Sequence, residues 1–95
     1  MSEKGSDSNS RMSARDLALE AKATIKDMTG MEPEKVSGLQ WDGETWLVTV
    51  EVCELERVPN TTDVLASYIV QLDDNGGLLG YKRDRRFLRG EAEER

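Results

Sequence analysis

Lys82, Arg83, Arg85, Arg86 and Arg89 lie within eight positions and are opposed by Asp84 alone, a local charge of +4 in a chain of net charge −6. Guanidinium groups donate in a fixed fork that matches carboxylate or phosphate oxygens. On a regular strand Arg83 and Arg85 would share a face with Tyr81 and Phe87, while Lys82, Asp84 and Arg86 would share the other. Three uses fit this pattern. Charge protects an edge strand against unwanted pairing, and Glu51, Glu54 and Glu56 would supply partners within the chain. The arginines would equally suit an acidic protein partner. With Tyr81 and Phe87 as stacking residues they would contact RNA or DNA.

Other chemistry is sparse. The sequence has no histidine, which removes the usual general base and the commonest metal ligand. Cys53 lies in the middle of an apolar strand pattern with no activating histidine, and reads as a packed thiol. Glu51 and Glu54 would point to opposite faces of a regular strand, a poor arrangement for paired-carboxylate catalysis. Asp73-Asp74-Asn75-Gly76 lacks the spacing and the closing glutamate of an EF-hand loop. Gly76, Gly77 and Gly80 match neither a dinucleotide fingerprint nor a phosphate loop. Asn60-Thr61-Thr62 fits a glycosylation sequon, but the sequence shows no secretory signal. No catalytic, metal or cofactor site is expected.

Arg57-Val58-Pro59-Asn60-Thr61-Thr62-Asp63 is the second candidate for binding. Pro59 restricts its neighbours, and Asn60 and the threonines bond the backbone locally, so an ordered loop is expected. Loops of this kind carry recognition disproportionately often.

These residues need a scaffold. Residues 1–12 have the composition of a disordered tail. Ser13 is placed to cap a helix over 13–29, with Asp16 in its first turn and Gly30 at its end. Leu17, Ala21, Ile25 and Met28 form its apolar stripe. Residues 31–35, with Pro33, make a connector. A short strand then runs from Val36 to Trp41, and Asp42-Gly43-Glu44 marks a hairpin turn. Over 45–55, Trp46, Val48, Val50 and Val52 share one face and should meet the helix. The loop over 56–63 leads to a strand over 64–73, with Ala66, Tyr68, Val70 and Leu72 on one face. The turn Asp74–Gly77 leads to a last strand over 78–88. A charged, fraying tail follows from Arg89, with residues 91–95 outside the domain. The predicted fold is α+β, an N-terminal helix packed on a four-stranded antiparallel sheet. Leu47, Leu65 and Ile69 fall on the face away from the helix, which is more apolar than a solvated face requires.

Composition narrows the class further. Ninety-five residues suffice for one small domain, with 37% hydrophobic and 34% charged residues. Net charge of −6 disfavours bulk attraction to nucleic acid or to anionic membranes. One cysteine allows no internal disulfide, and no apolar run is long enough to span a bilayer. The cytoplasm is the expected location.

The stretch EVCELERVPNTTDVLASYIVQLDDNGGLLGYKRDRRFLRG, Glu51–Gly90, closely resembles the gas vesicle protein O family. The family pattern is a Glu-rich strand, Arg-(Ile or Val)-Pro-(Asp or Asn)-Thr-x-Asp-(Val or Leu)-Leu-Ala-x-Tyr, a Leu-Asp…Gly turn, and Gly-Tyr-x-Arg-x-x-Arg-(Tyr or Phe)-x-Arg-Gly. TGMEPEKVSGL and W-x-V-x-V-E-V upstream are similar, so the resemblance covers about residues 14–90. Ile69, where the family often has glutamate, Cys53 and Phe87 depart from the pattern and make the outer face more apolar. The resemblance implies a gas vesicle accessory protein that binds other vesicle proteins, shell or accessory, during assembly, and it brings no catalytic residues. The loop and the basic strand supply the partner surface expected for this role, Arg57, Asn60, Thr61 and Asp63 together with Arg83, Arg85, Arg86 and Arg89. The alternative is a regulator of vesicle gene expression that binds nucleic acid through the basic strand.

Overall fold

A computed structural model describes residues 12–93 of the chain. Helix α1 spans Ala14–Thr29 and begins where expected, with the Asp16 amide donating to Ser13 Oγ at 3.1 Å. It ends at Gly30, whose φ of 76° places it in the left-handed region and lets its amide donate to the Lys26 carbonyl. Lys26 also pairs with Glu32 just beyond the helix.

Strands β1 (Pro33–Trp41), β2 (Trp46–Leu55), β3 (Val64–Leu72) and β4 (Leu78–Leu88) pair in sequence order as an antiparallel meander, β1-β2-β3-β4. Short turns permit this order. Asp42 shapes the first, its carboxylate accepting from the Glu44 and Thr45 amides at 2.9 and 2.8 Å. These bonds hold the Asp42 carboxyl below its ordinary value. Asp73 shapes the β3–β4 turn, accepting from the Asn75 and Gly77 amides, both at 2.8 Å. Its carboxylate is therefore used by the turn. Among the described residues no cluster of acidic, histidine or cysteine side chains could hold a metal ion.

The α+β expectation holds. α1 lies across β1, β2 and β3. Leu17, Ala21 and Ile25 are fully buried against Val48, Val50, Val52, Ala66, Val70 and Leu72, the alternating faces named from the sequence. Met28 leaves the stripe. It sits in the last helical turn at 54% exposure, and Thr24 takes the fourth buried position.

The edges of the pattern differ from expectation. β1 begins at Pro33, three residues early, which an edge strand tolerates because no ladder bond is required of its nitrogen. The 56–63 loop contains a single 3₁₀ turn, Asn60–Thr62, and a cis Val58–Pro59 peptide. The segment after β4 is not a fraying tail from Arg89. It forms a short helix α2, Arg89–Glu93, entered by the Leu88 amide donating to Glu91 Oε1 at 2.9 Å. The expected N-terminal tail, residues 1–12, lies outside the described residues except for Met12, which packs on the core.

Candidate functional site

The Arg57–Asp63 loop is braced through Asp63. Its side chain is only 7% exposed. Asp63 Oδ1 accepts from the Arg57 amide at 2.7 Å, and Oδ2 accepts from Arg89 Nε at 3.0 Å. The Arg57 bond, then Arg89, holds the Asp63 carboxyl below the usual carboxylate range against the opposing effect of its burial. The Thr62 hydroxyl and amide both donate to the Pro59 carbonyl, at 2.7 and 3.0 Å. Arg89 carries the brace further. Its Nη1 and Nη2 donate to Glu34 Oε1 and Oε2 at 3.1 and 2.7 Å, a bidentate pair that ties the first residue of α2 to the start of β1. The two carboxylates hold the Arg89 guanidinium even more firmly protonated than usual. Gly90 lies so close to this loop that a Cβ there would stand 3.1 Å from the Thr61 carbonyl oxygen.

The loop thus presents an ordered tip. Val58 is 99% exposed, with Arg57, Asn60 and Thr61 also exposed beside it. A shallow hollow of about 510 Å³ lies on the outer sheet face among Leu47, Ile69, Gln71 and Lys82, and another of about 340 Å³ among Thr49, Glu51, Ser67 and Arg85.

The basic strand does not form one surface. Ser67 pairs with Arg85 and Tyr68 with Arg83, so Asp84 is an extra residue in a β-bulge. The bulge reverses the alternation expected from the sequence. Arg83 and Arg86, opposite Tyr68 and Ala66, stand on the helix side together with Tyr81. Arg85, opposite Ser67, stands on the outer face with Lys82 and Phe87. Tyr81 and Phe87, expected on one face as a stacking pair, are therefore on opposite faces. Arg85 instead lies over the Phe87 ring, 4.6 Å from its centroid.

Glu54 claims both helix-side arginines. A second bulge, between Cys53 and Leu55, leaves Glu54 without a partner residue on β3, on the helix side with these arginines. Arg86 Nε lies 3.0 Å from Oε1 and Arg83 Nη2 lies 3.1 Å from Oε2. The carboxylate is 9% exposed and the guanidiniums remain about half exposed. The Arg83 contact is close enough for an ion pair but is not aligned as a hydrogen bond, so Oε2 has no hydrogen-bond partner. Arg83 is held further in its charged form by the Tyr68 side chain and then by Glu54.

The eight residues expected on one partner surface therefore divide. Asp63 and Arg89 form an internal brace; Arg57, Asn60 and Thr61 sit on the loop tip; Arg83 and Arg86 flank Glu54; Arg85 faces the other way. Glu54 is one of the three glutamates expected to pair with the basic strand, and it takes Arg83 and Arg86; Glu34 is the partner that sequence reading did not single out. Glu34 is 55 positions from Arg89, beyond any local signal. Cys53 behaves as the sequence suggests: burial first, then the Asp63 charge, pushes its thiol up, away from a reactive thiolate.

Residues 1–93 match the family described as "Gas vesicle synthesis protein GvpO". The chain belongs to this family. It is 48% identical over 71 residues to gas vesicle protein O of a Streptomyces species, covering 75% of this chain and 56% of that protein. It is 30% identical over 87 residues to gas vesicle protein O of Haloferax mediterranei, covering 90% and 62% of the two chains. It is 31% identical over 94 residues to gas vesicle protein O1 of Halobacterium salinarum, covering 94% and 79%. The chain thus spans less than two thirds of the length of the Streptomyces and Haloferax relatives. No solved structure matches it. Gas vesicle protein O is not a known enzyme family, and no helix among the described residues is long and apolar enough to cross a membrane.

Proposed function

We propose that this gas vesicle protein is a non-enzymatic accessory of gas vesicle assembly, working in the cytoplasm by binding another vesicle protein, shell or accessory. Membership in the gas vesicle protein O family carries this reading. The arrangement of the site supports it. The fold spends a buried aspartate and a bidentate arginine on holding one exposed loop. A braced loop with a fully exposed apolar tip suits recognition, because little entropy remains to be lost on binding. Arg57, Asn60 and Thr61 would make contact there, Asp63 and Arg89 would fix the loop, and Arg83, Arg85 and Arg86 would supply charge for acidic groups of the partner.

The test is deletion of the gene from a vesicle cluster driven by an unrelated promoter, read by electron microscopy. Loss of vesicles with shell protein still made is the expected result. Normal vesicles would overturn the assembly role and favour regulation of the native cluster. That regulatory reading draws less support from the strand, since Glu54 offsets Arg83 and Arg86 and the presumed stacking residues are on opposite faces.

A further inference from the structure

The helix layer on the sheet is half built. α1 covers β1, β2 and β3, while β4 is exposed along almost its whole length. On the helix side of this uncovered strip, Leu55, Val64 and Leu88 lie in one cross-strand row at one end. Leu55 and Leu88 are 47% and 39% exposed. Toward the other end Tyr81 is 40% exposed, its ring tilted against Tyr68 at 6.3 Å. Between these apolar ends stand Arg83 and Arg86, two guanidiniums against one carboxylate, Glu54. The strip is thus apolar at both ends and carries an excess positive charge in the middle.

Resting on the proposed role as an interaction module, we infer that this strip receives an amphipathic helix of a partner protein, laid beside α1 on the same face of the sheet and carrying carboxylates in its middle. Geometry favours a helix, because α1 already sets the depth of a helical layer on this face, and a second helix would continue it. From Tyr81 to Leu88, which pair with Val70 and Val64, is roughly 20 Å, the length of nearly four helical turns. Charge selects the partner. Glu54 holds the two guanidiniums in place and leaves about half of each open, so an incoming carboxylate meets prepositioned donors. A second copy of the chain is a poor occupant, since two-fold packing about the middle of the strip would set arginine against arginine. An extended strand added to the β4 edge is also a poor fit, because the Asp84 bulge interrupts the ladder on that edge.

A photo-crosslinking residue placed in the full-length chain at Leu88, or separately at Lys82 on the outer face, tests this in a vesicle-forming strain. The expected result is a cross-link from position 88 into a vesicle-protein segment with apolar residues at helical spacing flanked by Asp or Glu, and none from position 82. Adding Arg83→Gln and Arg86→Gln should cut that cross-link by roughly tenfold or more, as loss of interfacial charge pairs does. A cross-link from 88 to this chain itself, or to a basic or non-helical segment, overturns the inference, as does an unchanged yield in the double variant. Cross-linking from position 82 alone also overturns it while leaving the interaction role standing on the outer face. Silence at both positions counts against both.

Discussion

Arg89 and Glu34 are separated by most of the domain in sequence, yet the guanidinium and carboxylate meet in a bidentate pair with contacts of 3.1 and 2.7 Å. The same arginine holds Asp63, so a single side chain joins the first strand, the exposed loop and the start of α2, just after the last strand. Replacing Arg89 with Lys keeps the charge but loses the fork. Arg89→Lys should therefore leave the core intact and loosen the loop. Amide hydrogen exchange at Arg57, Asp63 and Arg89 should speed up in the variant while Val50 and Val70 keep their protection. Unchanged exchange at Arg57 would show that the brace does not depend on the fork.

The brace should also be sensitive to acid. Asp63 titrates below its ordinary 3.8 in the folded chain. A lowered folded value means that its contribution to stability is complete above 3.8 and is lost as pH falls through the folded value. The Arg57 amide resonance should follow this transition with a midpoint below 3.8. In Arg89→Ala the midpoint should move up but stay below 3.8, because the Arg57 amide is the larger cause. A midpoint unmoved by the substitution would assign the whole effect to the backbone bond.

The core tests the reading of α1. Leu17 is fully buried and Met28 is half exposed, although both belong to the apolar stripe seen in the sequence. Leu17→Ala should cost about 2–5 kcal/mol in urea unfolding. Met28→Ala should fall within about 0.5 kcal/mol of the parent. Equal costs would mean that the last turn of α1 is packed in solution.

Those two residues show what the sequence could and could not reveal. Periodicity named the inward faces of α1, β2 and β3, because burial of a shared face imposes it directly. It also located the caps and the two short turns, whose chemistry is local. It failed at Met28 because angular position says nothing about where a helix outruns its sheet. It failed at the basic strand for a related reason. The single extra residue Asp84 reverses the alternation, and a bulge leaves little trace in a sequence of charged residues. The composition of the candidate site was visible, and so was Glu54 as a partner for the basic strand, but the division into brace, loop tip and two opposed arginine faces depended on Glu34, which only the fold brings to Arg89, and on the Asp84 bulge.

Gly76 couples the β3–β4 turn to the start of the domain. Its φ is +87°, and a Cβ there would overlap Met12 Sδ. Gly76→Ala should cost roughly 1–2 kcal/mol from the backbone conformation alone. The clash adds to this, and its far end is a flexible side chain. Met12→Ala should recover the clash component and not the backbone component, so a double-mutant cycle in urea should show coupling between the two positions. Additive costs would indicate that Met12 moves aside freely.

The Asp84 bulge offers the sharpest check on the strand. Removing the extra residue would join Arg83 to Arg85 in unbroken alternation, opposite Tyr68 and Ser67, where they already stand. Deletion of Asp84 should therefore preserve the pairing on both sides of it, with Arg83 and Arg86 still beside Glu54. Nuclear Overhauser contacts between Tyr81 and Val70, and between Phe87 and Leu65, should both survive the deletion. A one-residue slip would carry every side chain on one side of the cut to the opposite face. Loss of either contact would therefore show that Asp84 sets the register of the strand as well as bending it.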